Sequence, residues 1–182
     1  MRYEEQMVLK DGRVCILRNA EEGDGAEVHR SFNLTHGETD FLLSYPDENS
    51  FDVEQERRFL AEKAEDPREA ELCAWIDGRL VGTAGIEAVG KKDKVKRRAV
   101  LGVSVEKAYW GLGVGRALVL ACIRCAGLAG YAQLELEVVA ENTRAVALYE
   151  SVGFLEFGRN PRGFYSRRAG WQEVVLMRLE LV

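Results

Sequence analysis

The sequence predicts a mixed α/β (α+β) domain in which a β-meander is followed by a βαβ-type crossover. Three observations carry this. Leu72–Ile76 and Leu80–Ile86 are apolar runs joined through Asp77-Gly78, a strong hairpin signal. Gly111-Leu112-Gly113-Val114-Gly115 lies between an apolar run and a segment whose apolar positions Val114, Leu118, Cys122, Cys125 and Leu128 recur at helical spacing. Leu134–Val138 alternates strictly, as a half-buried strand does, and is followed by a short helical pattern.

Taken in order, Val14–Leu17 reads as a first strand, and the Gly/Asp-rich stretch Glu22–Gly25 opens a helix running through Leu34. His36–Ser50 is polar and irregular. Asp52-Val53-Glu54-Gln55 has capping-box spacing and opens a second helix. Its buried side is predicted to hold Phe59, Leu60 and Ala64, and Asp66-Pro67 ends it. The hairpin follows, then the basic loop Lys91–Arg98 and a strand over Ala99–Val105. After the glycine-rich turn come the long helix, the alternating strand and a helix over Asn142–Ser151. Asn142 is placed to cap that helix and Gly153 to end it. Two closing strands are predicted at Phe154–Gly158 and Glu173–Leu181. With 182 residues and no linker or repeat, one domain over 1–182 is expected.

Composition narrows function. The chain is 47% hydrophobic, enough to build a core, and its net charge of −5 argues against a nucleic-acid partner. No secretory leader is read in Met1–Lys10, and no apolar run nears the roughly 18 residues a membrane span needs. A cytoplasmic location with no membrane partner is therefore expected. Cys122 and Cys125 form a C-x-x-C, but the histidines, His29 and His36, lie far from it in sequence. The pair reads as two small apolar residues on a helix face, and no metal is expected.

A glycine-rich turn at a helix N-terminus is a place to hold phosphate, because orphan N–H groups and a partial positive charge meet there. It is not a P-loop, since Gly115 is followed by Arg116-Ala117, and its G-x-G-x-G spacing is not a dinucleotide fingerprint. Asn142-Thr143-Arg144-Ala145-Val146-Ala147-Leu148-Tyr149, followed by Gly153-Phe154, resembles the N-x-x-A-x-x-L-Y-x-x-x-G-F signature of the GNAT superfamily of acyl-CoA-dependent N-acyltransferases. Tyr109–Leu118 resembles that family's pyrophosphate loop, although Trp110 stands where Gln or Arg often begins it. Leu17-Arg18-Asn19-Ala20 resembles the usual end of the first strand, so the resemblance covers almost the whole chain.

The resemblance implies a central, mostly antiparallel sheet with helices on both faces and splayed middle strands. It implies acetyl-CoA as cosubstrate, lying in the splay. Backbone groups of Val103, Ser104 and Val105 would pair with the pantetheine arm. Backbone N–H groups of Leu112, Gly113, Val114, Gly115 and Arg116 would hold the pyrophosphate, and Asn142 and Ala145 would contact the arm. Tyr149, by spacing alone a core tyrosine, would protonate the departing thiolate. An alkyl amine acceptor must lose a proton before attack, and Glu87 and Glu137 near strand ends are candidate bases, beside a water chain.

The acceptor is expected to be a small-molecule or peptide amine. Glu38–Glu71 holds 12 acidic residues against four basic ones, a surplus that would either attract a cationic amine or coat solvated helix faces. The basic loop Lys91–Arg98 would either help the CoA 3′-phosphate or simply be mobile. Arg159, Arg162, Arg167 and Arg168 would bind an acidic group or form a subunit contact, and a homodimer is compatible with the edge strands. The alternatives are an N-terminal acetyltransferase of the ribosomal-protein kind and a catalytically silent acyl-CoA sensor.

Overall fold

The computed structural model describes residues 2–181. One eight-stranded sheet runs in the order β1-β2-β3-β4-β5-β6-β8-β7. Its strands are β1 (Glu4–Val8), β2 (Val14–Asn19), β3 (Ala70–Ile76), β4 (Arg79–Ala88), β5 (Arg98–Val105), β6 (Gln133–Val139), β7 (Leu155–Ser166) and β8 (Gly170–Glu180). Every pair is antiparallel except β5 with β6. The helices are α1 (Gly25–Glu38), α2 (Val53–Glu65), α3 (Val114–Leu128) and α4 (Thr143–Ser151). The sheet has helices on both faces. Leu72 and Ala74 of β3 enter the larger core under α3, while Cys73 between them joins Val28 of α1 and Leu60 of α2 on the other face.

The local signals hold. Asp77 and Gly78 have φ of 51° and 75°, the paired left-handed residues that a two-residue hairpin turn needs. Asp52 Oδ1 accepts from the Gln55 N–H at 2.8 Å, and Gln55 Oε1 accepts from the Asp52 N–H at 2.9 Å, so the capping box closes reciprocally. Replacing Asp52 with Ala should cost about 1 kcal/mol, read as a lower urea midpoint at unchanged slope. Cys122 and Cys125 are both buried on α3.

Four expectations are corrected. β1 is not predicted from sequence because its polar Glu4-Glu5-Gln6 start carries little strand propensity; pairing with β2 supplies the order. α1 runs to Glu38, one turn past the predicted end. Ala64 is exposed, and the inward face of α2 instead carries Glu56, Leu60 and Lys63, two of them charged. β7 continues to Ser166 through Asn160-Pro161-Arg162-Gly163. The register there jumps from Asn160↔Val174 to Phe164↔Gln172, so a bulge absorbs the proline that reads as a strand breaker.

Glu106, at the end of β5, fixes α1 against the sheet. Its buried carboxylate accepts from Arg30 of α1 at 2.8 Å and from Arg79 of β4 at 2.9 Å. Among the described residues, no helix is long and apolar enough to cross a membrane.

Candidate active site

Strands β5 and β6 pair only over Arg98–Val100 with Gln133–Glu135, although β5 continues to Val105 and β6 to Val139. Beyond that point β4 still holds β5 and β8 still holds β6, so the middle of the sheet opens as a wedge. A cavity of about 1020 Å³ occupies it.

Hydrogen-bond alternation tells which backbone groups face the wedge. The Val89 N–H donates to the Arg98 carbonyl at 3.0 Å, and the Glu106 N–H to the Val81 carbonyl at 2.9 Å. With one-to-one register between them, residues 98, 100, 102, 104 and 106 bond to β4. Val103 and Val105 therefore turn their N–H and C=O toward the wedge. Ser104 is the correction: its backbone is committed to Thr83 of β4, and it meets the cavity through its side chain. The Val105 carbonyl is also engaged, by the Trp110 indole N–H at 2.6 Å. The residue that departs from the family pattern thus serves as a clasp between β5 and the loop. It leaves Val103 with both backbone groups free, and Val105 with its N–H.

The phosphate-type cradle sits at one end of the cavity. Gly111 and Gly113 have φ of 79° and 105°, a region L side chains rarely adopt, and Gly113 caps α3. The Ala117 N–H donates to the Gly113 carbonyl at 3.0 Å and closes the first turn. The N–H groups of Val114, Gly115 and Arg116 precede that bond and lack helical partners. Neither Leu112 nor Val114 lines the cavity: Val114 is fully buried, and the Leu112 carbonyl is taken by the Lys10 N–H.

Three cations stand at this end, and sequence reading singled out only Arg116, whose guanidinium donates to Ser151 Oγ of α4 at 2.6 Å. Arg144 lies over the Trp110 ring at 5.3 Å. Lys10 arrives because the β1–β2 turn docks on the loop, its N–H donating to the Leu112 carbonyl at 3.3 Å. The missed β1 is what brings it there.

On α4, Asn142 Oδ1 accepts from the Ala145 N–H at 3.3 Å, which caps the helix; both residues line the cavity. Tyr149 is 8% exposed and also lines it. Its ring meets Phe154 edge-on at 5.8 Å, and burial pushes its phenol up to about 12, so the hydroxyl keeps its proton at neutral pH.

The other end is walled by α1, the following loop and β7, through Phe32, His36, Phe41, Leu43 and Phe164. His36 stacks on Phe32 at 3.7 Å, and burial lowers its pKa below the usual histidine value. Glu87 and Glu137 lie near the ends of β4 and β6 and line this cavity, but both are exposed rather than in the core. Glu87 Oε1 accepts from Lys63 Nζ at 2.6 Å. Lys63 also faces Glu71 at 3.5 Å. Burial opposes the Lys63 charge, but the two carboxylates outweigh it and raise its pKa. Neither Lys63 nor Glu71 was singled out from sequence, since a lysine within a charged helix and a glutamate at a strand start carry no local sign of meeting.

The flanking charges resolve largely into structure. Of the 12 acidic residues in Glu38–Glu71, only Glu71 lines the cavity. Asp40 accepts from Tyr45 Oη at 3.0 Å, Asp47 pairs with Arg167 at 2.7 Å, and Asp52 caps α2. Arg159 is held by Glu156 and Glu173. None of residues 91–98 lines the cavity, and Arg98 is paired with Glu135 at the closed end of the wedge.

Residues 34–154 match the Acetyltransferase (GNAT) family. The chain belongs to the GNAT family. The acetyltransferase of GNAT family from Streptococcus pneumoniae superposes with a TM-score of 0.87 at 30% identity, over 91% of this chain and 99% of that one. A Salmonella typhimurium putative acetyltransferase, solved with its cofactor acetyl-CoA, shares the fold with a TM-score of 0.81 at 21% identity, over 92% and 94%. In sequence the chain is similar to N-alpha-acetyltransferase RimI of Mycobacterium tuberculosis, 36% identical over 104 residues, or 57% of this chain. It spans 62% of that relative's length, and 53% of the ribosomal protein bS18-alanine N-acetyltransferase of Escherichia coli K12. The fold class expected from sequence is the GNAT fold observed, and the wedge and cradle fit the acetyl-CoA that the family uses.

Proposed function

We propose that this protein is a cytoplasmic N-acetyltransferase that moves an acetyl group from acetyl-CoA to a primary amine of a small molecule or peptide, by direct attack in a ternary complex. The observation that carries this reading is that the free edge of β5, the glycine cradle and Tyr149 all open into one cavity. Val103 and Val105 offer backbone partners to an amide-bearing pantetheine arm, as an added strand would. The first turn of α3, with Lys10, Arg116 and Arg144, offers N–H groups and positive charge to the pyrophosphate. The thioester supplies an activated acetyl carbon. The amine nitrogen bonds to that carbon, the C–S bond breaks, and Tyr149 gives the departing sulfur a proton. Carboxylates at the opposite end, Glu87 and Glu137 among them, would take the proton the amine gives up.

N-terminal acetylation of a ribosomal protein is a second reading, favoured by two relatives, one named an N-alpha-acetyltransferase and the other a ribosomal protein bS18-alanine N-acetyltransferase. The test is release of CoA thiol from acetyl-CoA across polyamines, amino acids, aminoglycosides and short peptides. Release well above the acceptor-free rate is expected. Tight acetyl-CoA binding with no release by any acceptor would favour a silent sensor.

A further inference from the structure

Three adjacent strands place Glu71, Gly85 and Gly102 in one row, since Glu71 pairs with Gly85 and Gly85 with Gly102. Directly paired residues share a sheet face. Alternation puts this row on the face opposite Leu72, Ala84 and Leu101, which lie in the α3-side core. A Cβ at Gly85 would stand 2.3 Å from Glu71 Oε2, so the carboxylate crosses β4 in the space that the missing side chain leaves. A Cβ at Gly102 would meet nothing within 4 Å. The two glycines thus make a bare trough from Glu71 across β4 and β5 to the edge of the wedge, and all three residues line the cavity.

The charges beside the trough are one-sided. Lys63 of α2 lies between Glu71 and Glu87 of β4 and is neutralised by them. Glu137 of β6 adds a further negative charge to the wall. Among the described residues, the remaining cavity-lining cations, Lys10, Arg116 and Arg144, belong to the cradle end. The chamber therefore offers carboxylate to a cation and apolar rings to its body, with no free cation for a substrate carboxylate.

We propose that Glu71 receives the acceptor's ammonium group along this trough and takes its proton, and that the acceptor is a primary amine with an apolar body and no carboxylate beside the nitrogen. This rests on the acetyltransferase reading above and names its acceptor end. The ammonium gives one proton to the Glu71 carboxylate, and the freed lone pair forms the N–C bond as the C–S bond breaks. The second N–H proton passes through water to Tyr149 as Tyr149 gives its own to the departing sulfur, so the phenol is restored, and Glu71 then releases its proton to solvent as the one net proton of the reaction. Burial raises the Glu71 carboxyl to about 7 against the pull of Lys63, and Glu87 and Glu56 push it further in the same direction. Cys73, two residues along β3 on the same face, is itself buried.

The test compares 2-phenylethylamine, L-phenylalaninamide and L-phenylalanine as acceptors by CoA-thiol release. The first two should react. L-Phenylalanine, which brings a carboxylate among carboxylates, should have a kcat/KM on the order of 100-fold lower. For 2-phenylethylamine, wild-type kcat/KM should rise through about pH 7 and level off below the alkylammonium pKa of about 10. Glu71→Gln should bind acetyl-CoA normally by calorimetry, lose the plateau, and gain about tenfold per pH unit as the amine itself deprotonates. Gly102→Val, with open space for its side chain, should fold, raise KM for the amine and spare acetyl-CoA binding. Equal use of L-phenylalanine would overturn the acceptor class, and an unchanged profile in Glu71→Gln would overturn the proton role. No reaction with any of the three, in protein that binds acetyl-CoA and acetylates another amine, would overturn this inference while sparing the acetyltransferase reading. Failure to bind acetyl-CoA would remove that reading, and this one with it.

Discussion

Gly113→Glu should weaken acetyl-CoA binding by more than about 100-fold, measured by titration calorimetry. Two effects act together. Gly113 has φ of 105°, so any side chain there strains the backbone by about 1–3 kcal/mol. The new carboxylate also places negative charge at the first turn of α3, against the phosphates that the cradle is built to hold. A Cβ at this position would meet nothing within 4 Å, so the fold should survive with reduced stability. Gly113→Ala isolates the strain, and the difference between the two variants reads the charge effect. Wild-type affinity in folded Gly113→Glu would place the phosphate site elsewhere.

Tyr149→Phe should lower kcat by about 100-fold, the low end of what general acid–base catalysis contributes, and leave acetyl-CoA affinity within about twofold. The phenylalanine keeps the ring and its edge contact with Phe154, so packing is preserved and only the hydroxyl is lost. The pH dependence has a definite sign. An acid must be protonated to act, and burial holds this phenol at about 12, so Tyr149 should produce no alkaline loss of activity below about pH 11. Unchanged turnover in Tyr149→Phe, with chemistry shown to be rate-limiting, would take the hydroxyl out of the mechanism.

These two predictions concern the residues most legible in the sequence. Gly113 is recognisable because a backbone demand, positive φ at a helix start, has a single-residue solution. Tyr149 is recognisable only through its motif, since by spacing alone it reads as a core position. Glu71 had neither advantage. Its placement depends on Gly85 in the next strand and on Lys63 in a helix, contacts set by register across the sheet. Ser104 shows the same limit at finer grain. It lies in the expected strand, yet which of its neighbours turn their amides to the wedge follows from the hydrogen-bond phase with β4.

What the sequence determines by itself is therefore the local part of this protein. The Asp77-Gly78 turn, the Asp52–Gln55 cap, the glycine loop before α3 and the helical face of Cys122 and Cys125 each depend on residues within one or two turns of one another. What only the tertiary structure decides is what pairing at a distance supplies. β1 is a strand because β2 is beside it, Lys10 joins the cradle because their turn docks there, and β7 passes its proline because a bulge releases the register. The acceptor end belongs wholly to this second class. Its glutamate, its two glycines and its lysine come from four separate elements, and no short stretch of chain carries the free energy that brings them together.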